Sequence, residues 1–344
     1  VSASDSDRRS PAGRRRSIFL GLASLIVVAG VTLVLAEVAA RFYTYRILRR
    51  EPRYETDAKL GWRMRPNLET RRRLSESHAY DVFTDHHGYR IAKDERQDIV
   101  ARWRSSDGPR ILVLGDSFAE GFVDIEDRFD RVLAARRPEW TFLTLGCGGY
   151  SVDQEMIAGR EFFDDLRPGD VLLLLTCGND FEEVLTQSYS ARARPYFTLE
   201  GNRLAEHPPA IGLRERLRDA SYVASVVFLR FVKSQTSFTP AEREHARRLY
   251  AAIVRAETGR LVDKGVRIVI AHHTDWLGGD KSDVFQLVCD EGGIFELALD
   301  PHVVADGRER NPNLLEDGTH WSARGNAAAA SALEPVLARL LTNP

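Results

Sequence analysis

With 344 residues, 43% of them hydrophobic and 28% charged, the chain has the composition of a globular protein, neither disordered nor fibrous. A formal net charge of −2 supplies no overall basic field, which argues against nucleic acid as a partner. Its three cysteines, Cys147, Cys177 and Cys289, show no C-x-x-C spacing, so neither a zinc site nor a disulfide framework is suggested.

Residues 1–16 form a basic N-terminal tail, and residues 17–36 (SIFLGLASLIVVAGVTLVLA) contain no charge. Twenty such residues match the length needed to cross ~30 Å of hydrocarbon as a helix. A cleavable signal peptide has a shorter apolar core, and no clean A-x-A site follows here. The segment therefore reads as a single-pass transmembrane anchor. Arginines flank it almost equally, with Arg14, Arg15 and Arg16 before it and Arg41, Arg46, Arg49 and Arg50 after it. The charge rule thus leaves orientation undecided. The short tail suits an anchor with its N-terminus inside and the large domain extracytoplasmic.

Residues 37–109 read as a stalk, charged and partly helical to residue 54, followed by an irregular extension packed on the main domain. Gly61, Pro66 and Gly88 punctuate its short apolar pieces. From 110 to 344 the pattern is α/β. Apolar runs at 110–114, 140–145, 171–176, 266–271 and, more weakly, 294–299 have the continuous hydrophobicity of buried parallel strands. Helical periodicity falls between and after them, at 127–136, 153–165, 213–233, 240–264, 281–290 and 323–341. This alternation predicts a mostly parallel five-stranded sheet with helices on both faces. Residues 186–216 break the rhythm with several prolines and read as an inserted lid or wall.

Ligands of open parallel sheets bind beyond the carboxyl ends of the strands. Three strand ends carry small polar motifs: Gly115-Asp116-Ser117, Gly146-Cys147-Gly148-Gly149 and Gly178-Asn179-Asp180. A fourth block, Asp317-Gly318-Thr319-His320, precedes the last helix. Serine is a weak nucleophile until a base lies within hydrogen-bond reach. A histidine can be that base, with a carboxylate fixing its tautomer and stabilising the imidazolium. Asp317 and His320 are three residues apart, close enough for a tight turn to join them. A tetrahedral intermediate also needs donors aimed at its oxyanion. Backbone N–H groups in the glycine-rich turn, and an asparagine amide past a buried strand, can supply them.

The order GDS, glycine-rich turn, GND, DxxH resembles the SGNH/GDSL hydrolase superfamily, over residues 115–320. Gly61-Trp62 and His87-Gly88-Tyr89-Arg90 resemble membrane-anchored bacterial members of that group. The resemblance implies a flavodoxin-like three-layer α/β/α fold and acyl-ester chemistry without metal or cofactor. It implies Ser117 as nucleophile, His320 as general base and then acid, and Asp317 as the residue orienting it. Oxyanion donors would be the N–H of Ser117, the N–H of Gly149 and the side chain of Asn179. The chain departs from the family at Thr144, where Asn is frequent, which puts loop-stabilising hydrogen bonds in question.

Simpler readings exist for several of these residues. Ser117 or Asp116 can cap the helix that follows, Asp180 can support the Asn179 loop, and Asn179 can be a turn residue. His272 and His273, with Asp275 nearby, follow a strand end, but adjacent strand residues point to opposite faces and are poorly placed to share an ion. His86-His87 reads as a surface turn. Cys147 and Cys177, if on strands flanking that of Ser117, lie near twice the ~4.8 Å strand spacing, beyond the ~7 Å Cα limit for a disulfide. The leading function is hydrolysis of an acyl ester on an envelope carbohydrate or lipid. Acyl transfer to an envelope polysaccharide uses the same acyl-enzyme, and a non-catalytic envelope-binding protein could keep the fold. Neither a P-loop nor a GxGxxG motif opens the first helix, which argues against a nucleotide enzyme. Aromatics at Tyr189, Tyr196, Phe197, Tyr222, Phe228 and Phe231 supply candidate pocket walls.

Overall fold

A computed structural model describes residues 11–43, 53–95, 98–177, 180–190, 192–201, 203–224, 238–273, 285, 288–289, 293–303 and 311–342. The N-terminal helix α1 (Pro11–Phe42) exceeds the apolar stretch at both ends. Its most apolar 18-residue window has a mean hydropathy of 2.7 and contains no buried residue, so among the described residues one helix is long and apolar enough to cross a membrane.

The expected irregular extension is instead two small antiparallel sheets. One pairs β1 (Tyr54–Asp57) with β2 (Gly61–Met64), and the other orders β3 (Glu69–Arg73), β4 (Ala79–Thr84) and β5 (Arg90–Ile91). Strict alternation in β4 drives the second sheet, because Tyr80, Val82 and Thr84 all turn inward. These strands are short and rich in arginine, so their periodicity is faint in the sequence. A short helix, α2 (Ile99–Ser105), leads into the main sheet.

That sheet comprises β6 (Arg110–Gly115), β7 (Thr141–Gly146), β8 (Val171–Cys177), β13 (Arg267–His273) and β14 (Ile294–Ala298), all parallel. Its spatial order is β14-β13-β8-β6-β7. Numbered by the five strands' chain order this is 2-1-3-4-5, the flavodoxin-like arrangement, whose switch point lies where β6 meets β8. Between and after the first three strands lie α3 (Ser117–Glu120), α4 (Phe129–Arg136), α5 (Val152–Phe163) and α6 (Asp180–Glu183). Next come hairpins β9 (Ser188–Tyr189) with β10 (Arg192–Ala193), and β11 (Tyr196–Glu200) with β12 (Arg203–His207). The remaining helices are α7 (Leu213–Ala220), α8 (Pro240–Asp263), α9 (Asp300–Val303) and α10 (Ala323–Thr342).

Alternate residues of each strand feed two cores. Leu112, Leu114, Leu172 and Leu174 pack beneath α2, α5 and α8. Ile111, Val113, Leu173 and Leu175 pack beneath α4 and α10. This is a three-layer α/β/α fold. The helix expected over 213–233 breaks at Ser221, which is extended at φ −130° and ψ 125°. Helix resumes at 222–224 because Ser221 Oγ accepts from Ala224 N and Glu37 of α1 accepts from Tyr222 N and Val223 N. Residues 225–237 and most of the expected helix over 281–290 lie outside the described residues, as do Phe228, Phe231 and Asp275.

Candidate active site

The switch point brings three of the four motifs' described residues to the carboxyl end of the sheet. Ser117 is the first residue of α3, directly after β6. The cap of that helix is Asp116, not Ser117: its Oδ1 accepts from Phe118 N at 2.9 Å. Asp116 is buried, and burial pushes its carboxyl above the ordinary range. The fourth block turns ahead of α10. Leu315 N donates to His320 O at 2.7 Å and Ser322 N to Asn313 O at 2.8 Å, so the turn closes on itself. Buried Trp321 anchors it edge-on to Phe118.

These anchors set Ser117, His320 and Asp317 in line. His320 Nε2 lies 2.9 Å from Ser117 Oγ, and His320 Nδ1 lies 2.6 Å from Asp317 Oδ2. The other carboxylate oxygen of Asp317 accepts from the N–H groups of Thr319 (2.9 Å) and His320 (3.0 Å). Partial burial raises the Asp317 carboxyl, but the hydrogen bond from His320 and the two backbone donors outweigh it and hold the pKa at about 2. An ionised Asp317 at Nδ1 favours the tautomer with its proton there, leaving Nε2 free to accept the Ser117 proton. The imidazole sits between Phe122, with ring centroids 4.4 Å apart, and Phe118, at 5.3 Å. Both phenylalanines belong to the segment that carries Ser117.

The glycine-rich block lies beside this row. Gly149 has φ +79°, and a Cβ there would fall 2.4 Å from the Tyr189 ring, so glycine is required. Among the described residues, no hydrogen-bond partner is found for its N–H. Gly148 N is occupied, donating to Glu120 Oε2 at 2.7 Å. Tyr189, from the β9–β10 hairpin, stacks on Trp62 of the extension, and Trp62 Nε1 donates to Gly148 O. Thr144 Oγ1 donates to the Asp130 carboxylate at 2.7 Å, which ties β7 to α4. Asn179 and Gly178 lie outside the described residues. Asp180, the next described residue, accepts from Cys177 N at 2.6 Å.

Asp180 belongs to a buried acidic group with Asp116 and Glu155. Burial, reinforced by their mutual repulsion, pushes the carboxyls of Glu155 and Asp180 far up. Neither Glu155 oxygen has a hydrogen-bond partner among the described residues. Cys147, Cys177 and Cys289 are free thiols, and β6 does separate β7 from β8. His272 and His273 serve different carboxylates, Glu296 at 2.9 Å and Asp300 at 2.7 Å.

The sequence reading missed the residues that hold the glycine-rich block from behind. Glu120 is fully buried and takes Arg53 Nη1 at 2.7 Å, Tyr54 OH at 2.6 Å and Gly148 N at 2.7 Å. Arg90, also buried, donates to the carbonyls of Glu120, Gly121, Val123 and Asp81. Burial lowers its pKa to about 10, which leaves it charged at neutral pH. Arg90 closes the His87-Gly88-Tyr89-Arg90 block noted in the sequence, where nothing local indicates that it is buried.

No family model matches the chain, and none of the curated proteins does. Among solved structures it is similar to a member of the lipolytic G-D-S-L family from Veillonella parvula. That likeness has 14% identity and a TM-score of 0.39, covering 67% of this chain and 100% of the other. It is also similar to a GDSL-like lipase from Bacteroides thetaiotaomicron, with 11% identity and a TM-score of 0.34, covering 67% and 88%. At such values the likeness adds nothing to what the residues and their geometry carry.

Proposed function

We propose that this chain is a serine ester hydrolase of the SGNH/GDSL type that works through an acyl-enzyme on Ser117. The observation that carries this reading is the unbroken relay from Ser117 Oγ through His320 to Asp317, with contacts of 2.9 and 2.6 Å. His320 Nε2 takes the Ser117 proton as Oγ attacks the ester carbonyl. The oxyanion so formed is met by N–H donors of Ser117 and Gly149 and by the Asn179 side chain. On collapse, the alcohol leaves with the proton from His320. Water, deprotonated by the same nitrogen, then attacks the acyl-enzyme and restores Ser117. None of these steps calls on a metal or cofactor.

The anchor-like α1 and the tie of Glu37 to residues 221–223 support action close to a membrane, with the catalytic domain extracytoplasmic. An acylated carbohydrate or lipid of the cell envelope is the substrate class this favours. The domain division at 37 and 110 belongs to the same proposal. The test is release of p-nitrophenol from short-chain acyl esters by the full chain in detergent, beside Ser117→Ala. Activity should vanish in the variant to the uncatalysed background. Equal near-background rates from two folded proteins would refute simple esterase action.

A further inference from the structure

The turn joining β4 to β5 carries two adjacent histidines outside the catalytic row. Their Nε2 atoms approach one carboxylate oxygen, Asp98 Oδ2, at 3.7 Å for His86 and 3.8 Å for His87. The three donor atoms all lie within 4.8 Å of one another. These separations are too long for hydrogen bonds. The two rings nevertheless lie against each other, tilted by 42°, with centroids 3.9 Å apart. Two imidazolium ions that close would repel, and two neutral imidazoles would gain little from the carboxylate.

The backbone is pinned on both sides of the cluster. Asp85 Oδ1 accepts from the N–H groups of His87 and Tyr89, each at 2.9 Å, which fixes the turn. Gly88 has φ +88°, and a Cβ there would lie 2.4 Å from Met64 O, so the turn cannot relax away. Asp98 is the N-cap of α2, and its Oδ1 is taken by Val100 N (2.9 Å) and Ala101 N (3.0 Å). Only Oδ2 is left to face the histidines. The Ala101 N–H above all holds the Asp98 carboxyl below its ordinary value, keeping it in the form that ligates metal.

We infer that His86 Nε2, His87 Nε2 and Asp98 Oδ2 bind a divalent transition-metal ion of the zinc class. Bonds of about 2.0–2.1 Å at tetrahedral angles set donor atoms about 3.4 Å apart. The two histidine-to-carboxylate separations exceed that by only a few tenths of an ångström, within the reach of small χ rotations. Two imidazoles and one carboxylate suit zinc and disfavour calcium or magnesium, which take oxygen ligands. Water would fill the fourth position. The bound ion would tie the β4–β5 turn, which leads to Arg90, to α2, which leads to the Ser117 strand.

The test is equilibrium dialysis of the untagged full chain in detergent against Zn²⁺, with Ca²⁺ as control. The comparisons are the double variant His86→Ala/His87→Ala and the single variant Asp98→Asn. Asparagine keeps the helix cap, so the latter isolates ligation from folding. The parent should take up one Zn²⁺ equivalent more than the double variant, and no Ca²⁺ at this site. Asp98→Asn should weaken that equivalent at least tenfold. Zn²⁺ should raise the melting temperature of the parent and not that of the double variant. Equal Zn²⁺ uptake by parent and double variant, or undiminished affinity in Asp98→Asn, would overturn the site.

Discussion

Glu120→Gln preserves the shape of a fully buried side chain and removes its charge. In the parent, Oε1 accepts from Arg53 and Oε2 accepts from both Tyr54 OH and Gly148 N. An amide has one acceptor oxygen and turns two donors outward. Whichever way it flips, either Arg53 or the pair Gly148 N and Tyr54 OH meets an N–H instead of an acceptor. Breaking a buried ion pair costs about 3–5 kcal/mol. Arg53 retains Tyr80 OH at 3.2 Å and has 13% of its side chain exposed, so the lower part of that range applies, about 3–4 kcal/mol. At roughly 2–4 °C per kcal/mol for domains near this size, melting should fall by about 6–16 °C.

The catalytic consequence is separable from that loss. Gly148 N is held by Glu120, and the next N–H, that of Gly149, is the proposed oxyanion donor. Removing an oxyanion donor outright costs about 100- to 1,000-fold in kcat. Displacing its neighbour should cost about 10- to 100-fold, a partial share of that loss. The assay is p-nitrophenyl ester hydrolysis at 25 °C, well below melting, alongside circular-dichroism melts. Tyr54→Phe is the control: it deletes one hydrogen bond of about 1 kcal/mol and leaves the charge and Gly148 N in place. Its kcat should stay within about twofold of the parent on that energy. A Glu120→Gln enzyme with lowered melting but parental kcat would refute the coupling of this carboxylate to the oxyanion site. Unchanged melting would refute the buried pairing itself.

Asp317→Asn should lower kcat by roughly 100- to 10,000-fold, because the amide no longer fixes the Nδ1 proton. Since Asp317 has its pKa lowered to about 2, its charge persists above that value, so the variant should stay far below the parent at every pH from 5 to 8, with a parent-to-variant rate ratio well above one throughout. A ratio that collapses across that window would mean that another carboxylate orients His320. Gly149→Ala forces a side chain onto the Tyr189 ring at positive φ, with an overpacking cost of about 1–3 kcal/mol and a fall in kcat. Adding Tyr189→Ala should recover part of the melting temperature but not the backbone strain, and no recovery would exclude the ring as the clash. Glu155 has its carboxyl raised in the fold, so its contribution to stability is fully present below the ordinary value of 4.5 and is lost as pH rises. Glu155→Gln should therefore raise the melting temperature more at pH 8 than at pH 5, and an equal change at both would contradict a buried, uncompensated charge.

The sheet and the proposed catalytic row of Ser117, His320 and Asp317 were legible because their constraints are local. A strand buried on both faces must be apolar throughout, and β8 is buried at every position, so it stands out as an uninterrupted run. The proposed nucleophile, base and orienting carboxylate occupy two short blocks, each at a chain reversal next to a buried element. The extension was not legible for the opposite reason. Arg53 meets Glu120 across 67 positions and Trp62 meets Gly148 across 86, and neither pairing leaves a local pattern. Arginine and glutamate are ordinarily surface residues, so a sequence reader assigns them to solvent until the fold closes over both.

That asymmetry bears on where the working unit begins. The apolar rhythm starts at 110 and suggests a boundary there. Yet the wall behind the glycine-rich block is made of Arg53, Tyr54 and Trp62, and the loop after α3 hangs on Arg90. Without the extension, Glu120 would be a buried carboxylate with only Gly148 N as donor, and the carbonyls of Glu120, Gly121 and Val123 would lose their shared cation. Buried groups stripped of partners in this way are costly, so the segment holding the proposed oxyanion donors would have to rearrange. The extension that joins the apolar helix to the sheet is therefore part of the proposed site's construction, which reaches back to Arg53.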